Sequence, residues 1–156
     1  MNWIIRSIKS LEFHTNLREV LKPIWQDLNE YEWVLADLDF MTDDEIPIHF
    51  DEDYFILNRD EFNVIYQSRT QLIWGLISAV PRNTPLDFNL ISNLSVEVQD
   101  TFTADQYLIK ESYLEITALD SSYTIIKFKD EKLSNKFKEY FQDEAIDLQE
   151  FHKKKI

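Results

Sequence analysis

The sequence predicts an α+β fold, in which helices pack on a mostly antiparallel β-sheet. Two observations lead to this fold class. Stretches in which apolar and polar residues alternate, as in strands, lie between an early and a late stretch in which apolar residues recur every three or four positions, as in helices. The composition is also globular, since 44% of the 156 residues are hydrophobic. No linker or internal repeat interrupts the chain, so we expect a single domain over residues 1–156.

The first part of the chain is expected to form a short extended segment, a helix and a strand. Residues 3–13 have apolar spacings that fit a strand or a helix, and we favour the extended form. Thr15 stands at the N-cap of a helix whose apolar face runs to Leu28, and Pro23 ends or kinks that helix. Residues 32–40 alternate as in a strand. One face of this strand would carry Val34, Ala36, Leu38 and Phe40, and the other Trp33, Leu35, Asp37 and Asp39.

Two acidic turns are predicted next, at residues 41–45 and 51–53, with the short extended pieces IPIHF and DYFILN beside them. A helix should follow, because Asn58 and Glu61 are three residues apart and match the pattern of a capping box. The residues expected on its inward face are Phe62, Ile65 and Tyr66.

Residues 70–80 are apolar on both faces and predict a central strand covered on both sides. Gly75, the only glycine, is expected to let a helix or an aromatic ring approach this strand closely. Residues 87–93 are interpreted as a turn or short helix. Residues 94–99 alternate in polarity, which indicates an outer strand with one face in water.

A β-hairpin is predicted from Tyr113 to Lys129. A two-residue loop would place Glu115 opposite Phe128, whereas a three-residue loop at 120–122 matches polarity at every pair, and we favour the second register. That register pairs Leu114 with Phe128, Glu115 with Lys127, Ile116 with Ile126, and Ala118 with Thr124.

A last helix is predicted after the hairpin, capped by Asp130 or Ser134. Residues 145–151 are expected to add a final strand or to lie along the surface, and residues 150–156 to form a frayed tail. The inward stripe of the helix is predicted to be Leu133, Phe137, Tyr140 and Phe141.

The negative charge of the chain is concentrated in one segment. Residues 27–61 hold thirteen carboxylates against the single base Arg59, a formal charge of −12, whereas the whole chain carries −13. Net acidity by itself is a common aid to solubility. Its gathering in one segment instead favours a surface that attracts a basic protein partner.

Several functional classes are disfavoured by the composition. A sequence pI near 4.5 argues against nucleic acid or an anionic membrane as a direct ligand. Without cysteine there is no disulfide framework or thiol catalysis, and a single glycine cannot build a phosphate-binding loop. No apolar run approaches the roughly 20 residues that span a bilayer. We therefore expect a soluble, cytoplasmic protein without a cofactor. We do not expect it to bind a small-molecule ligand.

The acidic segment could form a catalytic or metal site instead of a plain acidic surface. No EF-hand loop fits, because the fifth position is Met41 in a loop that begins at Asp37 and Phe55 in a loop that begins at Asp51. A looser Ca²⁺ or Mg²⁺ site from Asp37, Asp39 and Asp43 stays open, and with it a small enzyme or regulator. An oligomeric regulatory domain is a third alternative. No catalytic motif is present, so we expect a protein that is not an enzyme.

The binding surface predicted from the sequence combines the two acidic turns with one face of the strand at 32–40. Trp33, if half exposed beside the carboxylates, would anchor a Lys or Arg of the partner. The candidate partner-binding residues are Trp33, Asp37, Asp39, Asp43, Asp44, Glu45, Asp51, Glu52 and Asp53.

In type, the chain resembles the immunity proteins of bacterial polymorphic-toxin and contact-dependent inhibition systems. The resemblance is carried by small size, absence of cysteine, α+β character and the acidic stretch from EWVLADLDF to IPIHFDEDYFILNRDEF, not by a specific motif. It implies that the protein binds a cognate toxin, often a basic nuclease, and blocks its active site. The acidic residues would then mimic nucleic acid.

Overall fold

The computed structural model describes residues 2–6, 16–119 and 123–155, with residues 152–155 described by their backbone alone. The strands of this part are β1 (Asn2–Arg6), β2 (Tyr31–Met41), β3 (Tyr54–Leu57), β4 (Gln71–Pro81), β5 (Leu114–Leu119), β6 (Tyr123–Phe128) and β7 (Ile146–Asp147). The α-helices are α1 (Leu17–Leu21), α2 (Arg59–Gln67), α3 (Phe88–Ser92), α4 (Gln99–Phe102), α5 (Glu131–Phe141) and α6 (Leu148–Lys155). Short 3₁₀ helices occupy Trp25–Asp27 and Gln142–Glu144.

All seven strands join one antiparallel sheet in the order β3-β2-β4-β5-β6-β1-β7. The predicted α+β fold is confirmed, with helices on both faces of this sheet. The first face carries a core that includes Trp25, Phe62 and Phe137. The second face carries a core that includes Ile91 and Leu148. Two buried faces explain why the central strand β4 is apolar on both sides.

The hairpin of β5 and β6 has the predicted register. Leu114 pairs with Phe128, Glu115 with Lys127, and Ile116 with Ile126. Each of these pairs matches in polarity or in charge, and cross-strand pairs of this kind fix the register of a hairpin. The predicted loop at residues 120–122 lies outside the described residues.

The long strand β2 does not alternate along its whole length. Asp37 has a φ of +53°, and the pairing of β2 with β4 shifts between Ala36 and Asp39 and again before Phe40. Such a bulge inserts an extra residue and changes the face to which later side chains point. Phe40 therefore packs in the first core with Trp33, so the predicted alternation is wrong beyond Ala36.

Gly75 in β4 lies opposite this bulge and makes it possible. Its φ of +144° is one that glycine adopts readily. A Cβ added there would lie 2.7 Å from Leu38 Cδ2 and 3.2 Å from the Asp37 carbonyl oxygen. The close neighbours are thus the Leu38 side chain and the backbone of the adjacent strand, and not a helix or an aromatic ring as predicted.

The segment between β4 and β5 also differs from its prediction. Residues 94–98 form no strand, although Val96 is fully buried in the second core. The stretch IPIHF at 46–50 is likewise irregular, whereas DYFILN contains β3. The predicted short helix at 87–93 is present as α3.

The helix ends follow their local signals where they are described. Asn58 and Glu61 form the predicted capping box at the start of α2. Asp130 caps α5, while Asn16 caps α1, whose predicted cap Thr15 lies outside the described residues. α1 ends at Leu21, ahead of Pro23. Helix α6 continues to Lys155, where the sequence analysis expects a frayed tail.

Candidate functional site

The connection between β2 and β3, residues 42–53, holds six carboxylates and no lysine or arginine. We call it the acidic loop. Because like charges in one loop repel one another and are well hydrated, they are expected at the surface. All six carboxylate side chains are exposed: Asp43, Asp44, Glu45, Asp51, Glu52 and Asp53.

Apolar side chains hold the acidic loop against the end of the sheet. Ile48 is buried in the first core, and Ile46 packs against that core. The ring of Phe50 stacks on that of Phe40 with centroids 4.5 Å apart, and His49 meets Phe55 edge-on at 5.1 Å. The loop's two acidic turns therefore flank a stretch that is attached to the fold.

Hydrogen bonds shape both turns. The Asp44 amide donates to Thr42 Oγ1 at 3.1 Å, and the Asp44 carboxylate accepts from the amide of Arg69 at 2.9 Å. In the second turn the Asp51 amide donates to His49 Nδ1 at 3.3 Å. Within the described chain, no hydrogen-bond or ion-pair partner engages the other loop carboxylates, which are Asp43, Glu45, Glu52 and Asp53. These four are available to a partner.

Two large apolar side chains are exposed at the same end of the sheet. Phe50 lies within the acidic loop and is 66% exposed, and Met41, just before the loop, is 62% exposed. An exposed aromatic ring among carboxylates is an arrangement typical of binding hot spots. Phe50 is not among the partner-binding residues predicted from the sequence. Its signal is an aromatic residue directly before the acidic run DED.

Trp33, the anchor predicted from the sequence, is fully buried at 0% exposure. Its indole stacks on Phe62 with centroids 3.9 Å apart and lies 6.1 Å from the ring of Trp25. The expectation that Trp33 is half exposed beside the carboxylates is therefore wrong. The ring is part of the first core, where its Nε1 has no hydrogen-bond partner among the described residues.

Asp37 and Asp39 do not form the polar strand face that was predicted beside Trp33. The Asp37 carboxylate accepts hydrogen bonds from Trp74 Nε1 at 3.3 Å and from the Val96 amide at 3.0 Å. Both donors belong to the second core, opposite the face of Trp33. Asp37 thus fastens the irregular segment 94–98 to the sheet. Asp39 is exposed at the bulge.

A second group of charges lies under the segment 99–112, away from the acidic loop. The buried carboxylate of Glu115 accepts from the amides of Leu108 at 2.9 Å and Ile109 at 3.1 Å, and from Ser112 Oγ at 2.9 Å. Burial raises the pKa of the Glu115 carboxyl, and these hydrogen bonds act in the opposite direction. Both carboxylate oxygens are engaged by donors, which suits a structural role.

Its cross-strand neighbour Lys127 serves the same segment. The ammonium donates to the carbonyl oxygens of Asp100 at 2.8 Å, Thr103 at 3.1 Å and Gln106 at 2.6 Å. Burial lowers the pKa of Lys127, while the charge of Glu115 raises it. Together the two strand residues hold α4 and the loop after it on the second face.

The described residues do not assemble a metal centre. No three of their histidine, aspartate or glutamate side chains are grouped so as to hold a metal ion. The looser site considered from the sequence, with Asp37, Asp39 and Asp43, is therefore not formed as a cluster. Asp37 in particular is already occupied by two hydrogen-bond donors.

No protein-family model, curated protein or solved structure matches this chain. None of the helices in the described ranges has the length and apolar character needed to cross a bilayer.

Proposed function

We propose that this chain is an immunity-type protein of the cytoplasm, which binds and neutralises a cognate basic toxin through its acidic loop. The observation that carries the proposal is the exposed ring of Phe50 in a loop that holds six exposed carboxylates and no lysine or arginine. The carboxylates attract a basic surface over a distance and increase the rate of encounter. The ring supplies the buried apolar contact that slows dissociation.

A nuclease-like toxin suits this surface by its chemistry. An enzyme that binds nucleic acid carries lysine and arginine side chains where phosphates lie. A loop of carboxylates competes for those same cations and covers the toxin's active site. The partner-facing residues are Asp43, Glu45, Asp51, Glu52 and Asp53 with Phe50, while Asp44 contributes charge from its bonded position beside Arg69.

The purified product of the gene next to this one is the probe for the proposal, since an immunity protein is expected beside its toxin. Its association rate with the wild type is compared with that of Asp43→Asn/Glu45→Gln/Asp51→Asn. A matched variant, Glu131→Gln/Glu139→Gln/Asp143→Asn, removes the same charge from exposed positions in or just after α5. Helix α5 packs on β6, four strands from β3 in the sheet.

We expect the loop variant to associate about tenfold more slowly at low salt and to show a weaker salt dependence. The association rate of the α5 variant should fall much less, because the charges that it removes lie away from the docking surface. Co-expression should also restore growth to cells that produce the toxin. Equal association rates for the two variants, or toxicity that the protein leaves unchanged, would overturn the proposal.

A further inference from the structure

Strand β3 ends the sheet, and its outer edge pairs with no strand of the described chain. Unpaired edge strands are usually protected by charged residues, proline or a bulge within the strand. The four residues of β3, YFIL, include none of these. At the opposite edge, β7 has two residues and passes directly into α6. Within the described residues, the backbone groups on the outer edge of β3 are therefore open to a further strand.

An apolar strip lies beside this open edge on the second face. Tyr54 and Ile56 are partly buried there. Phe88, at the start of α3 and 50% exposed, stacks on Tyr54 with ring centroids 5.9 Å apart and planes 17° apart. A strand added to β3 would place alternate side chains next to these rings.

Acidic residues flank β3 at both ends. Residues 51–53 precede the strand, and Asp60 and Glu61 follow it, all of them exposed. The one base between them, Arg59, lies over the Trp25 ring with its guanidinium carbon 4.0 Å from the centroid. It also donates to the Leu28 carbonyl oxygen at 3.4 Å, away from the edge.

These flanking charges disfavour pairing between β3 and the β3 strand of a second copy of the chain. In an antiparallel pair of β3 strands, residues 51–53 of one copy would face Asp60 and Glu61 of the other. In a parallel pair, each acidic flank would face its own equivalent. Both arrangements place like charges opposite one another, which is unfavourable. A segment with basic flanks meets opposite charge in either direction.

We infer that the basic partner docks an extended segment on the edge of β3 as an eighth strand. This inference rests on the proposed function and specifies how the partner is held. Main-chain hydrogen bonds to β3 supply affinity, and apolar side chains at alternate positions contact Tyr54 and Phe88. Lysine or arginine side chains at the ends of the segment meet the carboxylates of residues 51–53, Asp60 and Glu61.

A synthetic peptide tests this docking mode without the toxin. The probe has nine residues, with two lysines at each end of a threonine-valine repeat and both termini blocked. One control peptide carries glutamate in place of lysine, and another carries proline at two central positions, which removes backbone donors. Amide exchange and chemical shifts of the ¹⁵N-labelled full chain are recorded with each peptide.

We expect the lysine peptide to slow exchange at least tenfold for the β3 amides that exchange rapidly in the free protein. The glutamate and proline peptides should leave them unchanged. Phe88→Ala should weaken peptide binding about three- to tenfold. Leu90→Ala, which truncates an equally exposed residue of the same helix, should leave binding within twofold.

The outcomes separate this inference from the proposed function. Shifts confined to the acidic loop, with no protection of the β3 amides, would overturn strand addition and leave an electrostatic loop interface in place. Equal binding of the lysine and proline peptides would also overturn it. Loss of toxin binding in the loop variant, together with unprotected β3 amides in the toxin complex, would place the toxin on the loop alone.

Discussion

The indole N–H of Trp74 donates to the carboxylate of Asp37 across the β2 bulge, with 3.3 Å between nitrogen and oxygen. The same carboxylate accepts from the Val96 amide at 3.0 Å, so it joins two strands and the segment 94–98. Asp37 thus has a structural role, in contrast to the exposed carboxylates of the acidic loop.

Asp37→Ala should lower the free energy of unfolding by about 2–3 kcal/mol. Two donors lose their acceptor, and alanine is less tolerant than aspartate of the φ of +53° at this position. Urea denaturation measures the change. Asp39→Ala, at the exposed neighbouring position, should stay within about 0.5 kcal/mol of the wild type. Equal stability of the two variants would show that Asp37 does not fasten the segment.

Gly75→Ala should destabilise the protein by at least about 2 kcal/mol. The new Cβ would lie 2.7 Å from Leu38 Cδ2, and alanine is strained at a φ of +144°. Thermal and urea unfolding report the loss. Adding Leu38→Ala should not restore stability, because the backbone strain and the 3.2 Å approach to the Asp37 carbonyl oxygen remain. Full recovery in the double variant would contradict this account.

Lys127→Met should lower the free energy of unfolding by about 3–5 kcal/mol, because it leaves Glu115 and three carbonyl oxygens without their cation. Glu115→Gln should cost less, about 1–3 kcal/mol, because one carboxylate oxygen becomes a donor that faces other donors. A double-mutant cycle by urea denaturation should show coupling between the two sites. Strictly additive losses would mean that the two charges act independently.

The pH dependence of the Glu115→Gln variant follows from the raised pKa of this carboxyl. A folded-state pKa above the ordinary 4.5 means that the native protein resists ionisation, so this group's contribution to stability falls as the pH rises from 4.5 through the folded pKa. The stability difference between wild type and Glu115→Gln should therefore shrink as the pH rises above 4.5. A difference that grows with pH would show that the hydrogen bonds to Glu115 outweigh its desolvation.

Phe50→Ala should weaken binding of the adjacent-gene product about 10- to 100-fold, mainly through faster dissociation. The salt dependence of binding should not change, because no charge is removed. Val64→Ala, which truncates an exposed apolar residue of α2, is the matched control. Surface plasmon resonance measures both rates. A Phe50 variant that dissociates like the wild type would remove the ring from the interface.

Titration with Mg²⁺, Ca²⁺ or Mn²⁺ at millimolar concentration should give no saturable heat in calorimetry. The reason is the arrangement of the carboxylates: the acidic loop offers single side chains to solvent, and Asp37 is engaged by Trp74 and Val96. Saturable binding that Asp43→Asn abolishes would contradict this expectation and would support the alternative of a small metal-dependent enzyme.

Local sequence determined much of this fold. The capping box of α2, the Asp130 cap of α5 and the register of the β5–β6 hairpin follow from spacing and polarity alone, because their partners are near in sequence. The double-faced apolar pattern of residues 70–80 likewise identified the central strand. The concentration of carboxylates in the acidic loop is also a property of the sequence.

Tertiary structure decided which carboxylates of residues 27–61 face solvent and which aromatic ring accompanies them. Alternation assumes an unbroken strand, and the bulge at Asp37 reverses the faces beyond it, which requires the close approach of Gly75 in a neighbouring strand. Trp33 is buried because α2 places Phe62 against it. Phe50 is exposed because the loop's apolar contacts use Ile48 and one face of the Phe50 ring. Contacts between residues distant in sequence determine which of these side chains are buried, and a local sequence pattern cannot predict such contacts.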